Sequence, residues 1–144
     1  MLKIKFTLKK TLPFPQATLW DSLIDLKSHE AWIPLTKITL VPLNPKTFTA
    51  TTGFGKISFD DNMTILLSDD KNYQFLLEKT GPLLYGSAGF NLKKINHSTT
   101  LLTWYEDIYI PSLCALSFLS PILNLLGRLA FTHSLRKLSK YLSA

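Results

Sequence analysis

From residue 36 onward the spacing of apolar residues changes once, at Pro111, and that change constrains the fold more than any other feature. Residues 36 to 110 read almost entirely as strands and turns, with side chains alternating at a period of two. Strands are predicted over residues 38–41, 48–52, 57–67, 73–79, 83–95 and 99–110. Pro42, Asn44 and Pro45, then Gly53-Phe54-Gly55, Ser68 to Asn72 and Gly81-Pro82 supply the turns between them. The last two strands form a hairpin across Asn96-His97-Ser98. Beyond Pro111 the period becomes helical, with one short helix at 112–119 and a long one at 121–142. A run of strands followed by a long helix specifies an α+β chain, in which the helix covers one face of an antiparallel sheet.

The start of the chain fits this scheme. Residues 2–11 alternate, with Leu2, Ile4, Phe6 and Leu8 on one side and Lys3, Lys5, Thr7 and Lys9 on the other. Pro13 and Pro15 end that strand, and Pro15 opens a helix to about Leu26 whose Ala17, Trp20, Leu23 and Ile24 share a face. A second short helix follows, with Ser28 as its cap and Glu30 in its first turn. In the long last helix, Phe131, Leu135, Leu138 and Leu142 form one apolar stripe. Ile122, Leu125, Leu126, Leu129 and His133 form a second on roughly the opposite side, and Asn124, Arg128, Thr132 and Ser139 mark a narrow polar strip. Two stripes predict a helix gripped on both sides.

At 144 residues the chain suits one domain over 1–144 with one core. Its 46% hydrophobic and 18% charged content is too apolar for disorder, and the excess needs a core, a pocket, a partner or a membrane to receive it. The net charge of +6 gathers at the two ends, and no acid follows Asp107. Such ends could touch anionic lipid, although a solvated surface explains them as well, and no nucleic-acid-binding motif accompanies them. The uncharged stretch 108–127 has the length of a membrane span, but Pro111 and Pro121, each beside a serine, mark two helix starts within it. The lone Cys114 excludes an internal disulfide and reads as a buried thiol. Residues 1–14 lack the continuous apolar run of a secretory signal, which predicts a cytoplasmic protein.

Two acids interrupt faces that are otherwise apolar. Ile57, Phe59, Met63, Ile65 and Leu67 share their parity with Asp61, and Leu102, Trp104, Ile108 and Ile110 share theirs with Glu106. An inward carboxylate is costly unless paired, hydrogen-bonded or protonated. Asp61 and Glu106 are therefore either pocket anchors or general acid/base groups, unless a β-bulge turns them outward or a lysine pairs them. At least one is expected to face the interior. Trp32, Phe59, Phe90 and Trp104 are candidate pocket lining, with Met63 beside them and Gly86 and Ala88 leaving room. Leu129 and His133 reach the same space from the second stripe of the long helix. His29, His97, His133 and Cys114 share no metal-ligand spacing, so no metal site is expected.

The order strand, two short helices, about six antiparallel strands and a long C-terminal helix resembles the START-like, polyketide cyclase/dehydrase (SRPBCC) superfamily. Residues 15–21, His29-Glu30-Ala31-Trp32-Ile33-Pro34, Phe59-Asp60-Asp61 and Trp104-Tyr105-Glu106-Asp107 carry the likeness. It implies a helix-grip fold, with a cavity between the concave sheet and the last helix. It also implies an apolar ligand such as a lipid, sterol, quinone or aromatic polyketide, with no cofactor and no shared catalytic signature. A carrier or sensor of a hydrophobic small molecule or lipid is the leading expectation. The alternatives are a cyclase or dehydratase using Asp61 or Glu106 as acid/base, and a module that meets a membrane or protein through the basic C-terminal helices.

Overall fold

The computed structural model describes residues 2–143. Strand β1 (Leu2–Leu12) leads into helix α1 (Gln16–Ile24), a 3₁₀ turn at Leu26–Ser28 and the one-turn helix α2 (His29–Trp32). Six strands follow: β2 (Thr36–Leu40), β3 (Thr47–Phe54), β4 (Ile57–Asp69), β5 (Gln74–Pro82), β6 (Tyr85–Asn96) and β7 (Thr99–Ile110). A 3₁₀ segment at Pro111–Leu119 then joins the 24-residue helix α3 (Ser120–Ser143). All seven strands form one antiparallel sheet in the order β1-β7-β6-β5-β4-β3-β2. The period change at Pro111 predicts an antiparallel sheet with a long helix on it, and the helix-grip architecture is the one that the START-like resemblance implies.

Alternation sets which face is inside. Along β7 every second residue from Thr100 to Ile110 is buried, including Leu102, Trp104 and Ile108. Phe75 and Leu77 of β5, and Ala88, Phe90 and Leu92 of β6, continue that buried face across the sheet. The core forms where Leu19, Trp20 and Leu23 of α1, Trp32 of α2 and Leu135 and Leu138 of α3 close over it.

Helix α3 does two jobs along its length. Its first half lies along β1, an edge strand, where Ser120 Oγ and Asn124 Oδ1 accept hydrogen bonds from the Lys3 and Lys5 backbone N–H groups at 3.0 and 2.7 Å. Those donors would otherwise form an open strand edge. Gly127 permits the approach, since a Cβ there would lie 2.7 Å from the Phe6 ring. In its second half Phe131, Leu135, Leu138 and Leu142 pack into the core.

Two expectations need correction. The long helix is gripped on one side only, because Ile122, Leu125, Leu126 and Leu129 are exposed. The 112–119 segment is a kinked 3₁₀ run with no buried residue, so Cys114 is exposed rather than buried.

Candidate functional site

Rows of cross-strand neighbours on the concave face build the site. In the first row Phe75, Phe90 and Trp104 stand opposite one another on β5, β6 and β7, stacked nearly parallel with centroids 5.2 and 5.6 Å apart. Phe131 of α3 caps the Trp104 ring at 5.2 Å. The next row is Leu77, Ala88, Glu106 and Phe6, and beyond it come Lys79, Gly86 and Ile108. Strand β6 thus offers a methyl at Ala88 and a bare backbone at Gly86. A Cβ at Gly86 would strike the Asp107 carbonyl oxygen at 2.1 Å, which fixes glycine there. Ala88, with its single methyl, lines a cavity of about 130 Å³ under the aromatic row. Asp61, Met63, Lys79, Ala88, Trp104 and Glu106 contribute to its wall, and Ile33, Thr36 and Thr52, all partly exposed, lie on its side nearest solvent.

Both acids face inward, at 5% and 3% exposure. A register shift does occur beside Asp61, but the unpaired residue is Thr80 of β5, so Asp61 and Met63 keep their parity. A second shift leaves Leu66 unpaired and ends the inward alternation, after which Leu66 and Leu67 are exposed. Asp61 meets Lys79, whose Nζ donates to its Oδ2 at 2.5 Å and lies 3.8 Å from the Met63 sulfur. Glu106 Oε1 accepts from the Trp104 indole N–H at 3.1 Å. Asp61 Oδ1 and Glu106 Oε2 are buried and find no partner among the described residues.

One cation therefore serves two buried carboxylates. Burial pushes the Asp61 carboxyl above its ordinary range, against the pull of Lys79. Burial raises Glu106 too; Lys79 and the Trp104 bond oppose this, and the Asp61 charge adds to it. Burial alone would lower Lys79, but Glu106 and Asp61 outweigh it and hold the ammonium above its ordinary value. Charge balance across the three favours one proton shared between the acids, and contact with Lys79 places the negative charge on Asp61. Glu106 then has a proton to offer, while Asp61 retains a free acceptor.

His29 also reaches the cavity wall. Its Nε2 donates to the Leu23 carbonyl at 2.7 Å, and burial lowers its pKa, so the ring is neutral with Nδ1 as acceptor.

Of the residues singled out from sequence, the structure brings Asp61, Met63, Phe90, Trp104 and Glu106 together. Trp32 is fully buried in the adjoining core against His29, at 4.8 Å between rings, and does not contribute to the wall. Phe59 has the parity of Asp61, yet it is 37% exposed and off the wall, as Phe54 and Ile57 are at the same uncovered hairpin end. Leu129 and His133 lie on the outward face of α3, away from the cavity. Sequence reasoning missed Lys79, although Phe75, Leu77 and Lys79 share one parity. Among the described residues no group of three or more His, Cys, Asp or Glu is placed to hold a metal.

No protein-family model matches this sequence, and no curated protein does. Solved structures match it by shape. The aromatase/cyclase Zhui from Streptomyces sp. R1128 superposes with a TM-score of 0.76 at 11% identity, covering 98% of this chain and 94% of its own. A START superfamily protein from Mycobacterium smegmatis gives 0.76 at 11% identity, over 96% and 97%. Ara h 8.0201 gives 0.73 at 14% identity, over 97% of each chain. At such identities the likeness is one of fold, and at that level the resemblance to START-like and polyketide cyclase proteins holds.

Proposed function

We propose that this helix-grip chain binds an apolar small molecule or lipid carrying a hydroxyl or carbonyl group in the cavity beneath Trp104, as a carrier or sensor. One observation carries the reading: Asp61 Oδ1 and Glu106 Oε2 are buried without partners among the described residues on a mainly apolar wall. Leaving such groups unpaired costs roughly 1–3 kcal/mol each, more when charged. A ligand hydroxyl donating to Asp61, or a carbonyl accepting from protonated Glu106, removes that cost. The apolar wall supplies affinity and the two acids supply orientation. A dry apolar cavity of similar size is known to hold benzene, so the space suits about one ring, and larger ligands extend toward Thr36 and Thr52.

A second reading follows from the same pair. A carboxylate and a carboxylic acid facing one cavity are the parts of an acid/base catalyst, with Asp61 taking a proton while Glu106 polarises a carbonyl. A cyclase or dehydratase of this kind needs both acids, whereas a carrier needs only a polar contact.

Native mass spectrometry of the purified protein tests the binding reading. We expect an apolar adduct in the wild type that Ala88→Leu, which fills the cavity, no longer carries. An adduct held equally by both proteins, or none even after incubation with hydroxylated aromatics, overturns it. If Asp61→Asn abolishes turnover of a polyketone while keeping the adduct, the catalytic reading gains.

A further inference from the structure

The outward face of α3 carries a surface that the cavity does not account for. Taking 100° per residue, Ile122, Leu125, Leu126 and Leu129 lie within one arc, and Arg136, Lys137 and Lys140 fall in the same arc two turns on. Each of these seven side chains is exposed. The face is therefore divided along its length, apolar for the first half and cationic for the second, over about 27 Å. Phe118, 72% exposed, extends the apolar half into the preceding 3₁₀ segment, together with Leu113 and Leu116. Lys10 and His133 join the cationic end in a shallow basic depression with Arg136, Lys137 and Lys140. From Ile108 onward the chain contains no acid.

We infer that this face docks on an anionic lipid surface, with Phe118, Ile122, Leu125, Leu126 and Leu129 among the acyl chains and Arg136, Lys137 and Lys140 on the headgroups. A patch of this size is more than scattered surface apolars produce. Charge selects the occupant. A second copy would bring the same cations and no acid from its own helix, so pairing would oppose like charges. A surface of anionic headgroups over hydrocarbon is complementary to both halves at once. The stretch Pro111–Ser143 is long and apolar enough to cross a membrane by composition. It lies on the surface instead, because Leu135 and Leu138 are committed to the core and Ser120 and Asn124 to the edge of β1. The inference is independent of any ligand in the cavity.

Flotation with phosphatidylcholine vesicles, with and without phosphatidylserine, tests it. Binding is expected only with phosphatidylserine. It should weaken at least about 25-fold in R136E/K137E, since each cation near an anionic surface contributes about a fivefold effect, and be lost in L125D/L126D. Both pairs are exposed, so circular dichroism and melting should match the wild type. Brominated phosphatidylcholine should quench Phe118→Trp more than Lys140→Trp. Equal flotation on both vesicle types, or none, contradicts the inference. So does a wild-type dimer that L125D/L126D converts to monomer, which assigns the face to a second copy. Retention on a polyglutamate resin without vesicle binding also contradicts it and assigns the face to an acidic protein.

Discussion

Lys79 is the residue on which the interior chemistry depends. It is 8% exposed and is the partner that makes Asp61 tolerable inside the sheet. Lys79→Met would leave two buried carboxylates without a cation, a change that costs about 3–5 kcal/mol for a buried pair. The loss should shrink as pH falls toward the ordinary carboxylate range, where both acids can protonate. Urea unfolding at pH 8 and pH 5 measures it, and an equal loss at both would place the lysine's role in packing alone. Glu106 gives the complementary test. Its folded pKa is raised, so its contribution is fully present below the ordinary value of 4.5 and is lost as pH rises through the folded value. Glu106→Gln cannot ionise and keeps an acceptor for the Trp104 N–H. The variant should therefore gain on the wild type as pH climbs, and parallel stability curves would mean that Glu106 titrates normally.

At the scale of elements, parity made the strands legible and also showed its limit. The bounds of β7 agree with the alternation of residues 99–110, and both inward acids were readable because they broke an apolar face. The same logic applied to Phe75 and Leu77 points Lys79 inward, although a lysine close to a turn is usually solvated. Helix α3 shows why periodicity cannot say what covers a face: two stripes were visible and only one meets the core. Nor could sequence show that the polar strip between them closes a strand edge through Asn124. Packing there is tight enough to test. Ala is favoured over Gly in a helix by about 1 kcal/mol, yet Gly127→Ala should lower stability by roughly 1 kcal/mol through overpacking. Its Cβ would press on a Phe6 ring already held 5.5 Å from Phe131. Adding Phe6→Leu should recover part of that loss, and simple additivity in thermal melts would show that the two sites do not touch.

For the whole molecule, a curved sheet closed by α1, α2 and half of α3 encloses a small apolar space whose wall holds more carboxylate than cation. Burying two acids and a lysine weakens a fold unless something else uses them. A ligand that completes their hydrogen bonds is such a use. The most direct test compares phenol and benzene binding to the wild-type protein by ligand-observed NMR. A purely apolar cavity favours benzene, because phenol gives up hydroxyl hydration without return. A cavity with a free, charged acceptor at Asp61 reverses that order, since a hydrogen bond to a charged group contributes about 1.5–3 kcal/mol. Phenol binding roughly tenfold tighter than benzene, with both lost in Ala88→Leu, is the expected result. Benzene binding tighter than phenol, or neither binding at all, would contradict the account.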